Sequence, residues 1–570
     1  MKKRIIVFAI SIMMVLAFAA CGGGDTPPSQ TGGGGDSGGG GGDTPVESTV
    51  ENVLYVHWYS SDDNGAQLEN PWVDVQGLWQ HCVLESLIWV NGADGSWSPG
   101  LASNMEVSAD GLTYTFTLRD GAAWHDGTPV TADDVVFSYN TIIHDPYSSF
   151  GSRAASIKGG QEAIDGTADT ISGITTDGNK IIFELAAPDR ECVVTMFAWF
   201  RILPKHLLGD VDPLDISHYV DYWKHPIGSG YYKVDEVSLG NYFTIVRNDD
   251  YVGPAPKIDK IVFTNYQIAQ QEGIVADLIA GNLDFSYGHL INDIGAATNV
   301  VNQNPDMELV MMPSPFMRFL KFSLMDGKTT PVNEDLKITE VRQAINLLLD
   351  KDTLSDFYTG QAVPLTTGVS PADPAVNTSI PTFQRDVAKA KQMLEDAGFD
   401  FSTPLRMIYY YGDPTTADFV EVLKANFADA GVTLEATLTE GEAYTPASLA
   451  GDFDILYAGY AAATPLAVYD QFAYMGQDVD TYTFGDVAFR QEIYNVPRDA
   501  YKSATSEADA KAAFDELQLN GVQEAHVIPL YSMNKIAVYD KAKLSIPQDI
   551  FNTEYEMCKD YRIGEWEIIG

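Results

Sequence analysis

The stretch Asp110-Gly111-Leu112-Thr113-Tyr114-Thr115-Phe116-Thr117-Leu118-Arg119-Asp120-Gly121 is followed, after two alanines, by Trp124-His125-Asp126-Gly127-Thr128-Pro129-Val130-Thr131-Ala132-Asp133-Asp134-Val135. From Leu112 to Leu118 threonines alternate with larger apolar and aromatic residues, the period-two pattern of a half-buried strand. Asp126-Gly127 before Thr128-Pro129 reads as a turn, so His125 and Asp126 are turn residues rather than an acid/base pair. Thr131 is a good N-cap, which places Asp133 and Asp134 in the first helical turn, where negative charge stabilises the positive helix end. The apolar run Val135-Val136-Phe137 follows directly. The acidic pair therefore caps a helix starting near Ala132 rather than holding a metal.

A β-α-β unit is legible further along. Leu405 to Tyr411 is a strand, and Ala417 to Ala430 a helix with Phe419, Val422, Leu423, Phe427 and Ala430 on one face. Val432 to Ala436 alternates as a second strand. Such a unit makes a right-handed parallel crossover and implies an α/β lobe. The helix before it aligns Val387, Ala390, Leu394 and Ala397 and stops at Gly398. These stripes are core, not cofactor sites.

A chain of 570 residues exceeds one hydrophobic core and implies two or three lobes. Lys and Arg number 35 against 79 Asp and Glu, a net charge of −44. That balance excludes nucleic-acid partners, whose phosphates need clustered bases, and adsorption to anionic lipid through a basic face. Met1-Lys2-Lys3-Arg4 with the apolar run Ile5 to Ala20 is an export signal, too short for a membrane span. Residues 1–20 are thus a signal peptide. Its removal leaves 32 bases against 79 acids, a charge of −47. Of the 49 glycines, 12 lie between Gly22 and Gly42, so residues 21–50 form a disordered tether that cannot build a core. Gly35-Asp36-Ser37-Gly38-Gly39 mimics a serine-protease nucleophile, but it sits in this tether, without the rigid turn and neighbouring His that such a nucleophile needs. The histidines show no zinc spacing. Cys82, Cys192 and Cys558 can form at most one disulfide, and spacing does not say which; buried free thiols are the simpler reading.

Leu16-Ala17-Phe18-Ala19-Ala20-Cys21 resembles a bacterial lipobox, with Phe18 replacing the usual aliphatic residue; the resemblance implies lipidation at Cys21. The 110–135 stretch resembles the signature of the bacterial extracellular solute-binding proteins of family 5, the receptors of peptide- and nickel-type ABC importers. Further matches are Pro226-Ile227-Gly228-Ser229-Gly230-Tyr231-Tyr232, Arg247-Asn248-Asp249-Asp250-Tyr251, Val341-Arg342-Gln343-Ala344-Ile345-Asn346, Gly451-Asp452-Phe453-Asp454-Ile455 and Val527-Ile528-Pro529-Leu530-Tyr531. Together they span about residues 51 to 545. The resemblance implies an α/β, two-lobed, periplasmic-binding-protein-like flytrap (type II, cluster C) with an extra domain on the first lobe. The first lobe would comprise 51–78, 207–300 and 526–570, the extra domain 79–206, and the second lobe 301–525.

It also implies a non-enzymatic, monomeric receptor without cofactor, held at the outer or periplasmic face of the cell membrane by its lipid. Such a receptor captures peptides or peptide-like solutes between the lobes and hands them to an ABC permease and its ATPase subunits. A receptor for another solute, an oligosaccharide or a metal chelate, is the alternative; a secreted hydrolase is a distant one. Peptide receptors of the family anchor the ligand's ammonium on an Asp four residues after the Gly of a Gly-Trp-type motif. Here the segment is Gly459-Tyr460-Ala461-Ala462-Ala463: Tyr460 can replace Trp as an aromatic wall, but Ala463 stands where the Asp is expected. Either Asp470 or another acid substitutes, or the ligand lacks a free amino terminus. By family position Tyr59 and Ser60 would face the cleft, and Tyr147 and Phe150 would supply aromatic contacts from the extra domain. His289 is the candidate counterpart of the His that nickel-type relatives place around a chelate, although no metal site is expected.

Overall fold

The alternation of the opening stretch sets up a strand, Thr113–Leu118, whose Tyr114, Phe116 and Leu118 are buried while the threonines between them are half-exposed. In the computed structural model it is a central strand of a four-stranded antiparallel sheet, in the order Ala102–Val107, Thr113–Leu118, Lys180–Glu184 and Ile174–Asp177. The structure describes residues 52–570 apart from 59–66, 69, 71, 73–77, 92–95, 146–147, 149, 267–270, 288–292, 325–326, 359, 383, 462–463, 475–490 and 553–558. The expected signal, tether, Cys21 and Cys558 thus lie outside the described residues. The turn forms as read, with Gly127 at φ +85° and the Asp126 carboxylate accepting from Thr128 N–H. The helix Ala132–Ile142 starts where Thr131 caps it. Asp134 alone closes that cap, accepting from Thr131 N and Oγ1 at 2.8 and 2.9 Å, while Asp133 reaches outward to Lys205.

Two larger sheets form the lobes. The first has seven strands in the order Met307–Met312, Lys535–Asp540, Phe285–Tyr287, Val53–Trp58, Lys260–Asn265, Tyr242–Arg247 and Tyr232–Ser238. One apolar core, including Trp79, Trp124, Trp223 and Trp566, runs through this lobe and the four-stranded domain. The second sheet has six strands: Ala362–Pro364, Val527–Met533, Phe316–Phe322, Ile455–Ala461, Leu405–Tyr409 and Leu434–Leu438. Separate cores cover its two faces, one around Leu320, Leu405 and Phe419, the other around Met317, Phe319 and Leu456. This is the α/β two-lobed flytrap expected from the sequence.

The β-α-β unit is present, with Leu405–Tyr409 parallel to Leu434–Leu438. Its helix, Pro414–Ala428, begins three residues before the apolar stripe suggests. Asp413 caps it through Thr416 N–H at 2.9 Å, and Pro414 fits the first turn because it lacks the N–H that would be orphaned there. The lobe boundaries also differ from the expected ones. Met307–Met312, expected in the second lobe, pairs with Lys535–Asp540 in the first sheet, from Met307↔Asp540 to Met312↔Lys535. Val527–Met533, expected in the first lobe, lies in the second sheet between Ala362–Pro364 and Phe316–Phe322. The chain therefore passes between sheets at Pro313-Ser314-Pro315 and at Asn534. Asn534 N–H donates to Gln361 O, and Gln361 Nε2 donates back to Asn534 O, both at 3.0 Å, so one side chain of the second lobe clamps a crossing.

Candidate functional site

Three of the family-like motifs, 110–135, 226–232 and 247–251, come together, but as a joint. His125 is held between two glycines of the Pro226–Tyr232 segment: Gly228 N–H donates to its Nδ1 at 3.1 Å, and its Nε2–H donates to Gly230 O at 3.1 Å. Those bonds fix the neutral tautomer, and burial lowers the imidazole pKa to about 4. Gly228 and Gly230 are needed because a Cβ would stand 1.7 Å from Val83 O and 2.1 Å from Cys82 O. Nearby, Arg119 makes two 3.0 Å bonds to the buried Glu85 carboxylate and donates to Tyr251 Oη, which itself donates to Glu85. His125, Arg119 and Tyr251 thus dock the extra domain onto the first lobe.

The carboxyl ends of the parallel strands Leu405–Tyr409, Leu434–Leu438 and Ile455–Ala461 define one edge of the second sheet, the position at which open α/β sheets bind ligands. This edge faces the other half of the molecule. Both crossings leave from it, because Phe316 pairs with Ala461 and Met533 with Ala362. Just beyond it, buried Thr464 donates from Oγ1 to Glu191 of the extra domain at 2.6 Å. Tyr501 donates to the other Glu191 oxygen at 3.1 Å, and Arg190 N–H donates to Lys502 O at 3.0 Å. The Asp189–Glu191 segment therefore spans from the extra domain to the second lobe beside the cleft.

At the edge Arg318 is paired with Gly459 on one side and Tyr531 on the other. Its guanidinium stacks 3.4 Å from the centre of the Tyr411 ring and 5.1 Å from that of Phe316. Gly459 makes room for this: a Cβ there would lie 2.6 Å from Tyr411 Oη and 2.8 Å from Arg318 Nη1. The Tyr410 and Tyr411 hydroxyls bond to each other, and Tyr457 and Tyr531 share a buried hydroxyl contact of 3.0 Å. The edge is thus a tyrosine-rich rim with one cation inside it.

Of the residues expected at the site, Gly459 lies at this rim as backbone that the Arg318 and Tyr411 side chains cover. Tyr460, half-buried, pairs with Met317, and the backbone of Ala461 ends the strand. Asp470 falls in the helix Pro465–Tyr474, but its side chain, like Tyr59, Ser60, Tyr147, Ala463 and His289, lies outside the described residues. Phe150 is only 8% exposed, packed against Trp199 with Arg153 over its ring, so it is covered within the extra domain. Cys82 and Cys192 are both buried. Arg318, Tyr410, Tyr411 and Glu191 were not singled out from sequence. Their available signals were a charge inside the apolar run Phe316–Phe322 and the tyrosines Tyr409-Tyr410-Tyr411 closing a parallel strand.

Among the described residues no group of three or more His, Cys, Asp or Glu could hold a metal ion, and no helix is long and apolar enough to cross a membrane. Comparison with known proteins agrees with the architecture. A protein of Brucella ovis named as an ABC transporter peptide-binding protein is 27% identical over 368 residues; the match covers 63% of this chain and 64% of that relative's length. The oligopeptide-binding protein AppA of Bacillus subtilis is 26% identical over 452 residues, 75% of each chain. The crystal structure of the ABC transporter substrate-binding protein CtaP from Listeria monocytogenes superposes with a TM-score of 0.73 at 22% identity, covering 90% of this chain and 99% of that one. The family model described as "Bacterial extracellular solute-binding proteins, family 5 Middle" matches residues 96–480, well over half of the chain, which therefore belongs to that family.

Proposed function

We propose that the chain is the extracytoplasmic receptor of an ABC importer, closing its two lobes on a peptide or peptide-like solute and delivering it to the permease. The observation that carries this reading is the carboxyl edge of the second sheet, bridged to the extra domain through Glu191, Thr464 and Tyr501. A cleft with a contact across its mouth and two single-strand crossings at its base can open and close. A ligand held by both sides shifts that equilibrium by the difference between its affinities for the closed and open states. No bond is made or broken in this cycle. The names of the Brucella and Bacillus relatives support a peptide as cargo. Lipidation at Cys21 and the glycine tether of 21–50 would hold the receptor at the membrane, and the net charge keeps it solvated there.

Mass spectrometry of small molecules released by denaturing the purified protein tests the cargo. Peptides are the expected result. Recovery of only sugars or metal chelates would sink the peptide reading while leaving the receptor reading intact.

A further inference from the structure

We propose that Arg318 is the ligand's charge anchor, and that the cleft selects cargo by a carboxylate rather than by an ammonium group. The inference rests on reading the carboxyl edge of the second sheet as the ligand site. The Nη1 of Arg318 is buried and has no hydrogen-bond partner among the described residues. No carboxylate among them pairs with it, and the titratable groups acting on it are Tyr358, Tyr410, Tyr457 and Tyr531. Other buried arginines of this protein are treated differently. Arg342 donates to the carbonyls of Leu336, Lys337 and Glu524, and Arg201 donates to Ser86, Ala198 and Trp199. The half-exposed Arg406 donates from Nε and Nη2 to the two oxygens of Asp454.

Stacking on Tyr411 and Phe316 covers the faces of the Arg318 guanidinium but leaves its buried Nη1 without a hydrogen-bond partner among the described residues. A planar anion fits there, because the guanidinium fork matches the two oxygens of a carboxylate. The tyrosine hydroxyls around it can donate as well. An ammonium group in the same place would meet a like charge with no acid among the described residues paired there to offset it. The polarity also suits a segment that carries Ala463 where an acid is expected. The carboxylate could be a peptide's C-terminus or an Asp or Glu side chain, and the experiment separates the two.

The mature chain, residues 21–570, is immobilised and offered a tetrapeptide mixture in three arms. The first arm has free C-termini and no Asp or Glu, the second the same sequences as C-terminal amides, and the third amides containing one Glu. Retained peptides are counted by mass spectrometry. The wild-type protein should enrich the first or the third arm at least ~10-fold over plain amides, and Arg318→Gln should erase that preference. Enrichment of the first arm alone identifies the C-terminus, of the third alone a side chain. Arg318→Lys, which keeps the charge but not the fork, should retain a weaker preference, and it decides the matter if the Gln variant fails to fold. Equal retention of plain amides by the wild type, or an unchanged preference in the Gln variant, overturns the proposal. If no arm is retained, the peptide reading fails and citrate becomes the probe in thermal melting. A rise in the wild type that Arg318→Gln lacks upholds the anchor, and no rise overturns it.

Discussion

At the joint between the extra domain and the first lobe, both oxygens of the Glu85 carboxylate accept from Arg119 Nη2 and one also accepts from the Tyr251 hydroxyl, and His125 is held from both ring nitrogens. At the carboxyl edge of the second lobe, Arg318 has aromatic faces against it and a buried Nη1 without a hydrogen-bond partner among the described residues. The two regions bury charge for different ends. A buried ion pair whose partners belong to the protein contributes to docking and costs much to break, whereas a buried cation with no internal partner is tolerated where something from outside can complete it. The motif residues at the joint thus serve the scaffold, while the proposed anchor, Arg318, lies outside those motifs.

The sharpest way to break this contrast is at Glu85. Glu85→Ala strands the Arg119 guanidinium and should destabilise the first lobe by about 3–5 kcal/mol. Calorimetry should show the transition that includes the first lobe moving down while the second lobe's, where resolved, stays in place. A loss under about 1 kcal/mol would place this pair among solvent-screened contacts, and the contrast with Arg318 would fall.

Which parts could be read from the sequence follows the same division. The Thr113–Leu118 strand and the helix at Ala132 were legible because alternation and the Thr131–Asp134 cap are local. The start of the Pro414–Ala428 helix was missed because the Asp413 cap and Pro414 set it, not the apolar stripe. Lobe boundaries were displaced because sheet membership is decided by partners far apart in sequence, as when Met307 pairs with Asp540. Arg318 was invisible for the same reason. Alone it is one charge in an apolar strand, and its meaning comes from Gly459 and Tyr411, which reach it only through the fold.

Acid should weaken the joint next. Burial lowers the His125 pKa to about 4, below the ordinary value of 6.5, so between these pH values the unfolded chain binds a proton that the native joint refuses. The stabilisation is complete above pH 6.5 and is lost as pH falls toward 4, by up to roughly 3 kcal/mol. Buried His57 is shifted to about 4 by burial as well, and His526 is lowered, so His125 is one of several contributors. His125→Gln should therefore flatten the stability–pH slope by at most one proton rather than abolish it, as measured by urea unfolding across that range. An unchanged slope would mean that the imidazole is free to protonate in the folded joint.

Gly459→Ala should have the smallest effect on stability and so sharpens the comparison most finely. Two of the atoms that a new Cβ would meet, Tyr411 Oη at 2.6 Å and Arg318 Nη1 at 2.8 Å, are the far ends of long side chains that can swing away, and the third, Arg318 Cδ at 3.0 Å, needs to give by only a few tenths of an ångström. The crowding is partly offset by the entropy gained when a strand glycine becomes alanine, so the net change should stay under about 1 kcal/mol. Swinging away, however, moves the guanidinium off the Tyr411 face and spoils its aim into the cleft. Binding of carboxylate-bearing peptides should therefore fall by about tenfold while unfolding barely shifts. A stability loss approaching that of Glu85→Ala would instead show Arg318 and Tyr411 locked into the core of the second lobe. The cation at the cleft edge would then be scaffold, like the pair at the joint.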